Sequence, residues 1–124
     1  MNTDNYSGNE TILVVDDERA LRQMLYDVLS IHGYHLIEAS SGEQALSFLK
    51  ANNIDLMISD VAMPEMNGYE LADEVRELYP QVKIQLVSGY SDQVQGNKVL
   101  HKEVLYKPFR NTALLERVRN ILNA

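Results

Sequence analysis

The chain has 124 residues, of which 45% are hydrophobic and 23% charged, enough for one domain with a real core and too few for two. Its formal net charge of −7 argues against general nucleic-acid binding, which needs Lys and Arg to neutralise phosphates, and the absence of cysteine excludes a disulfide framework, a thiol nucleophile and any Cys-based metal site. No apolar run approaches bilayer length and no charged-then-apolar leader opens the chain, so the expectation is a cytoplasmic protein without membrane insertion.

Residues 1–9 are polar, include Gly8 and lack apolar periodicity; they read as a flexible polar tail ahead of one continuous domain, 10–124. Thr11 to Val15 is a short apolar run of buried-strand character leading into Asp16 and Asp17. Leu21, Met24, Leu25, Val28 and Leu29 then recur at helical spacing, with His32-Gly33 as a stop. Tyr34 to Glu38 reads as a second strand, and Ser41 with Gln44 as a capping box ahead of Ala45, Leu46, Phe48 and Leu49. Asp55 to Ser59 is a third strand running into Asp60. Past Met63-Pro64, Asn67 and Glu70 can cap a helix whose apolar positions are Leu71, Val75 and Leu78, ended by Pro80. Lys83 to Val87 is a fourth strand reaching Ser88, and Glu103 to Tyr106 a fifth reaching Lys107. Between them, Asp92 to His101 carries a weak pattern broken by Gly96 and Asn97, which predicts a short or irregular fourth helix. Leu114, Leu115, Val118, Ile121 and Leu122 mark a final amphipathic helix. Arg110, Arg117 and Arg119 near it could form a local basic face, although a solvated helix face is the simpler reading.

Strict β-α alternation with short crossovers implies parallel strands covered by helices on both faces, and an eight-unit barrel does not fit this length. The C-terminal ends of parallel strands share one edge, where open α/β sheets place their sites. Asp16, Asp17, Asp60, Ser88 and Lys107 would therefore meet. Singly, each has a plain explanation: a helix cap and first-turn acid for Asp16 and Asp17, turn residues for Asp60 and Ser88, an exposed lysine at a turn for Lys107. None of these explains why all five close strands.

Clustered carboxylates repel one another and raise their own pKa values; a hard cation relieves this, and two or three carboxylates plus waters suit Mg²⁺. A carboxylate nucleophile, a cation, an ammonium and a hydroxyl around one point are the parts needed for phosphoryl transfer. His32, His35 and His101 sit where no Ser-His-Asp arrangement can be argued, and no Gly-x-x-x-x-Gly-Lys-Ser/Thr loop is present. The phosphoryl group must come from another donor.

The strings Ile12 to Glu18 (ILVVDDE), Asp60 to Gly68 (DVAMPEMNG), Val87-Ser88-Gly89 and Lys107-Pro108-Phe109 together resemble the receiver domains of two-component response regulators, in that family's order and across nearly the whole chain. The resemblance implies a flavodoxin-like doubly wound sheet of order 2-1-3-4-5. It implies Asp60 as phosphoacceptor from a sensor histidine kinase or histidine phosphotransfer protein, and Mg²⁺ held by Asp17, Asp60 and the backbone carbonyl of Ala62, with Asp16 acting through water. Lys107, held by a cis bond to Pro108, would pair with the phosphoryl group, and Ser88 would move toward it on activation beside the small Gly89. Such a domain is a phosphorylation switch and not an enzyme in its own right. Its downstream target is a protein that the sequence does not name.

The chain departs from the family in three places. Val104 stands three residues before Lys107, where the family often has Tyr or Phe, while Tyr106 directly precedes the lysine and should point to the opposite side of the strand. The segment from Ser88 to Lys107 is about three residues shorter than is common, and Asn67 replaces a frequent Asp. Ala62 and Tyr90 occupy positions that in this family tune dephosphorylation. Two alternatives are a phosphorylation-independent interaction module with a vestigial site, against which the intact set Asp16, Asp17, Asp60, Ser88 and Lys107 argues, and a small phosphatase or phosphotransferase working through an aspartyl intermediate. The sequence is compatible with a stand-alone receiver and equally with one taken from a hybrid kinase or longer regulator.

Overall fold

A computed structural model describes residues 6–89 and 104–124. Five parallel strands, β1 (Thr11–Val15), β2 (His35–Ala39), β3 (Leu56–Asp60), β4 (Lys83–Ser88) and β5 (Val104–Tyr106), form one sheet in the order β2-β1-β3-β4-β5. The helices among the described residues are α1 (Arg19–Ser30), α2 (Gly42–Ala51), α3 (Gly68–Leu78) and α4 (Asn111–Asn123). The helix expected around 92–101 lies outside the described residues.

Period-two alternation sorts the strand side chains into two layers. Ile12, Val14, Leu56 and Ile58 pack with Leu25 and Leu29 of α1 and with Leu114, Leu115 and Val118 of α4. Leu13, Val15 and Met57 pack on the other face with Ala45 and Leu49 of α2 and with Leu71 and Val75 of α3. β1 and β3, central in the sheet, are buried along nearly their whole length, as the continuous apolar runs of strands covered on both faces require.

Local expectations fare unevenly. Asn67 and Glu70 make a complete capping box: the Asn67 side chain accepts from Glu70 N at 2.9 Å and Glu70 Oε1 accepts from Asn67 N at 3.0 Å. The box at Ser41 is half of one. Ser41 Oγ accepts from Gln44 N, but Gln44 Oε1 reaches back one residue further, to Ser40 N at 2.6 Å. β2 runs one residue later than expected, since its pairing with β1 starts at Thr11 opposite His35; Tyr34, just before it, donates its hydroxyl to Tyr6 O at 3.0 Å. Asp55 is not in β3; its carboxylate instead accepts from Thr11 N at 2.8 Å. Leu78, expected on the apolar face of α3, is 57% exposed.

Residues 6–8, the described part of the polar N-terminal segment that makes contacts, meet the body of the domain. Ser7 O accepts from Arg119 at 3.0 Å, Gly8 N donates to His32 O at 3.1 Å, and the Tyr6 ring stands edge-on to His32. Tyr6, Ser7 and Gly8 are thus tied to the body. Arg119 is no solvated helix charge either: its guanidinium meets both Glu10 oxygens, at 3.2 and 2.8 Å, and the Tyr34 hydroxyl at 3.0 Å.

Candidate functional site

Register alone sets the site. Val15 pairs with Ser59, Asp60 with Val87, and Ser88 with Tyr106, so Asp16, Asp60, Ser88 and Lys107 all stand at or one step past the C-terminal ends of four adjacent strands. Lys107 N donates to Ser88 O at 2.8 Å and Val61 N to Val87 O at 2.9 Å, continuing the ladder beyond the strands and holding those ends together.

Asp16, Asp17 and Asp60 each offer a carboxylate oxygen, and these oxygens lie within 4.8 Å of one another. Asp16 and Asp60 are buried while Asp17 is exposed, so the cluster opens toward solvent on the Asp17 side. Lys107 Nζ approaches Asp60 Oδ1 at 3.1 Å. The Lys107–Pro108 peptide is cis. Asp16 keeps part of the plain role too, since its Oδ1 accepts from Glu18 N at 2.8 Å at the entrance to α1.

Burial pushes the Asp16 carboxyl from 3.8 up to about 6; the Glu18 N–H counters this, the Asp60 charge adds to it, Lys107 counters it and Asp17 adds again. The donor set is therefore oxygen-rich, anionic and short of positive charge. That is the chemistry a hard divalent cation fits.

Ser88 is buried at the end of β4, its hydroxyl donating to Gly89 O at 3.2 Å. Ala62 lies two residues past Asp60 with an exposed side chain. Val104 and Tyr106 pack in one layer with Val61, Ala72 and Leu86, whereas Leu105 faces the α1–α4 side; Tyr106 thus shares the face of Val104 and does not point to the opposite side of the strand, because residues two apart in a strand lie on one face. Tyr90 lies outside the described residues.

Two residues near the site escaped the sequence reading. Arg22 donates through Nη1 to the Asp16 carbonyl at 2.9 Å and through Nε to Glu38 at 3.2 Å. In sequence they stand 16 residues apart with no motif joining them; the pairing of Val14 with Glu38 brings them together. Gly68, the first residue of α3, donates to Val61 O at 2.8 Å and lies directly against the Asp60 carbonyl. In sequence it shows only as the last residue of the string Asp60 to Gly68.

A family model described as the response regulator receiver domain matches residues 12–119. The chain belongs to that family. The receiver domain is 37% identical over 113 residues to the transcriptional regulatory protein CpxR of Klebsiella pneumoniae, an alignment covering 90% of this chain and 48% of CpxR. It is 36% identical over 115 residues to the autoinducer 1 sensor kinase/phosphatase LuxN of Vibrio harveyi, covering 91% of this chain and 14% of LuxN. The chain therefore spans about half the length of CpxR and a small part of LuxN. Among solved structures, the response regulator protein TrrA from Thermotoga maritima, in complex with Mg²⁺-BeF, superposes with a TM-score of 0.80 at 34% identity, covering 90% of this receiver and 98% of TrrA. A putative response regulator from Chloroflexus aurantiacus gives a TM-score of 0.83, also at 34% identity, over 94% of this chain and all of that one. No helix among the described residues is long and apolar enough to cross a membrane.

Proposed function

We propose that this receiver domain, spanning about residues 10–124, is a Mg²⁺-dependent signalling switch that accepts a phosphoryl group on Asp60. The observation that carries the reading is the pairing of a buried Asp60 with Lys107 at 3.1 Å inside a carboxylate cluster 4.8 Å across. The donor is a phosphohistidine on a sensor kinase or histidine phosphotransfer protein. An Asp60 oxygen attacks phosphorus, the P–N bond breaks, the electron pair leaves on the imidazole, and an acyl phosphate forms.

Asp16, Asp17, Asp60 and the Ala62 carbonyl hold the cation, Asp16 through water, and TrrA, solved with Mg²⁺-BeF, supports this choice of metal. When bound, Mg²⁺ supplies positive charge opposite the transferring phosphoryl oxygens. Lys107, drawn off the carboxylate once Asp60 is esterified, pairs with the phosphoryl group, and the Ser88 hydroxyl donates to another of its oxygens. The added charge, close to two units at neutral pH, biases the loops beyond β4 and β5 toward a second arrangement. The domain assists only its own phosphorylation and dephosphorylation. It works in the cytoplasm through protein contacts, without binding nucleic acid itself or entering a membrane.

Incubation with acetyl phosphate and Mg²⁺, followed by intact-mass analysis, tests this. A single phosphoryl adduct on the wild type that is lost in Asp60→Asn supports the switch. No adduct favours the vestigial interaction module, and steady hydrolysis of the donor without accumulation favours a phosphatase.

A further inference from the structure

The Asp16–Asp17 peptide is gripped by a side chain that belongs to neither the cluster nor its strands. Arg22, 16% exposed along its side chain, donates Nη1 to the Asp16 carbonyl at 2.9 Å, while its Nε rests on Glu38 Oε1 at 3.2 Å. On the other side of the same residue, Asp16 N donates to Ala39 O at 3.1 Å. Both peptide planes of Asp16 are thus fixed, one by β2 and one by Arg22. The carbonyl that Arg22 holds belongs to the peptide leading into Asp17, so its orientation decides where the Asp17 carboxylate points. Asp17 is exposed, and no strand pairing includes it.

We infer that Arg22, braced by Glu38, is a positioning residue that aims Asp17 into the carboxylate cluster and so sets the affinity of the site for a divalent cation. This rests on the proposed Mg²⁺ site. The guanidinium suits the task because its planar fork binds a carbonyl and a carboxylate at once, which a lysine ammonium on a flexible stem does not reproduce. Groups that orient metal ligands from outside typically alter affinity by about ten- to a hundredfold when removed.

Charge alone predicts the opposite sign. A cation next to three carboxylates repels Mg²⁺, so deleting it as a charge tightens binding; deleting it as a brace loosens binding. Calorimetric titration of the full chain with Mg²⁺ alone separates the two. The brace predicts that Arg22→Met weakens Mg²⁺ binding by about tenfold or more, that Arg22→Lys restores little of it despite keeping the charge, and that Glu38→Gln weakens it by less.

Equal or tighter binding by Arg22→Met overturns the inference, as does full recovery in Arg22→Lys. A purely structural role lowers the thermal midpoint of the variants while leaving the Mg²⁺ affinity of the folded protein unchanged, which also overturns it. Should Arg22→Met fail to fold, Arg22→Lys and Glu38→Gln carry the same test: wild-type affinity in both sinks the brace. A wild-type protein that takes up no Mg²⁺, or an Asp60→Asn variant that titrates like the wild type, removes the proposed metal site itself and is told apart from failure of the brace by that control.

Discussion

Gly68 packs its Cα against the Asp60 main chain so closely that a β-carbon there would overlap the Asp60 carbonyl oxygen and crowd Val61 Cα at 2.8 Å. The obstacles are backbone atoms of a buried strand end, which cannot swing aside as a side chain would. Alanine at this first helical position gains about 1 kcal/mol of helix propensity, against roughly 1–3 kcal/mol for overpacking; the overlap wins because the neighbours are rigid. Gly68→Ala is therefore expected to lose about 1–2 kcal/mol in urea unfolding and to form the Asp60 adduct more slowly. A variant as stable as the wild type contradicts this packing.

Arg119 and Glu10 predict an acid-sensitive anchor. The Arg119 hydrogen bonds hold the Glu10 carboxyl below its ordinary value, opposed by partial burial. A carboxyl with a depressed folded pKa adds stability that is complete above its unfolded value, about 4.3, and is lost as pH falls through the folded one. Glu10→Gln should cost about 1–3 kcal/mol at pH 7, and the gap to wild type should narrow steadily on acidification below pH 4. A gap independent of pH in urea titrations counts against the pair. Amide exchange at Ser7 and Gly8 should also quicken in Arg119→Met, since those residues are tied down beside this pair.

Much of the fold was legible because it depends on patterns local in the chain. The runs Ile12–Val15 and Leu56–Ile58 are unbroken because strands covered on both faces have no polar side, and the Asn67–Glu70 box needs only four consecutive residues. The convergence of Asp16, Asp60, Ser88 and Lys107 was readable for the same reason: parallel strands put their ends on one edge whatever their order. What failed involves partners far apart in sequence. Glu10, Tyr34 and Arg119 meet across 109 residues from first to last, and no spacing announces that a polar tail will be hydrogen-bonded down. Arg22 and Glu38 needed the β1–β2 register. Gln44 missed Ser41 by one residue, a difference set by backbone geometry and not by residue type.

Lys107 stands at 3.1 Å from Asp60 Oδ1 and opposes the repulsion of three carboxylates. Lys107→Met removes that offset and the ammonium that would meet the transferring phosphoryl group. Two results of opposite direction are expected: slower acyl phosphate formation from acetyl phosphate, by about a hundredfold, and Mg²⁺ binding at least as tight as wild type. Rate and affinity falling together would mean that the lysine holds the site together instead of acting on the phosphoryl group.

Asp16 gives the metal-free protein a pH dependence of the opposite sign to that of Glu10. Its carboxyl is raised from 3.8 to about 6, chiefly by burial, so the folded chain binds this proton more tightly than the unfolded one. Stability then falls as pH climbs through that window and stays lower above it, by at most about 3 kcal/mol. Asp16→Asn, which cannot ionise, should be more stable than wild type at pH 7.5 without metal, and the advantage should vanish near pH 4. Saturating Mg²⁺ should erase the difference from the other side, by stabilising the wild type through mass action. Because the cation competes with the proton at this cluster, its affinity should drop as pH falls below about 6. Urea unfolding of both proteins at pH 4 and 7.5, with and without Mg²⁺, checks all three; a wild type that is the more stable at pH 7.5 in chelator rules out a raised Asp16.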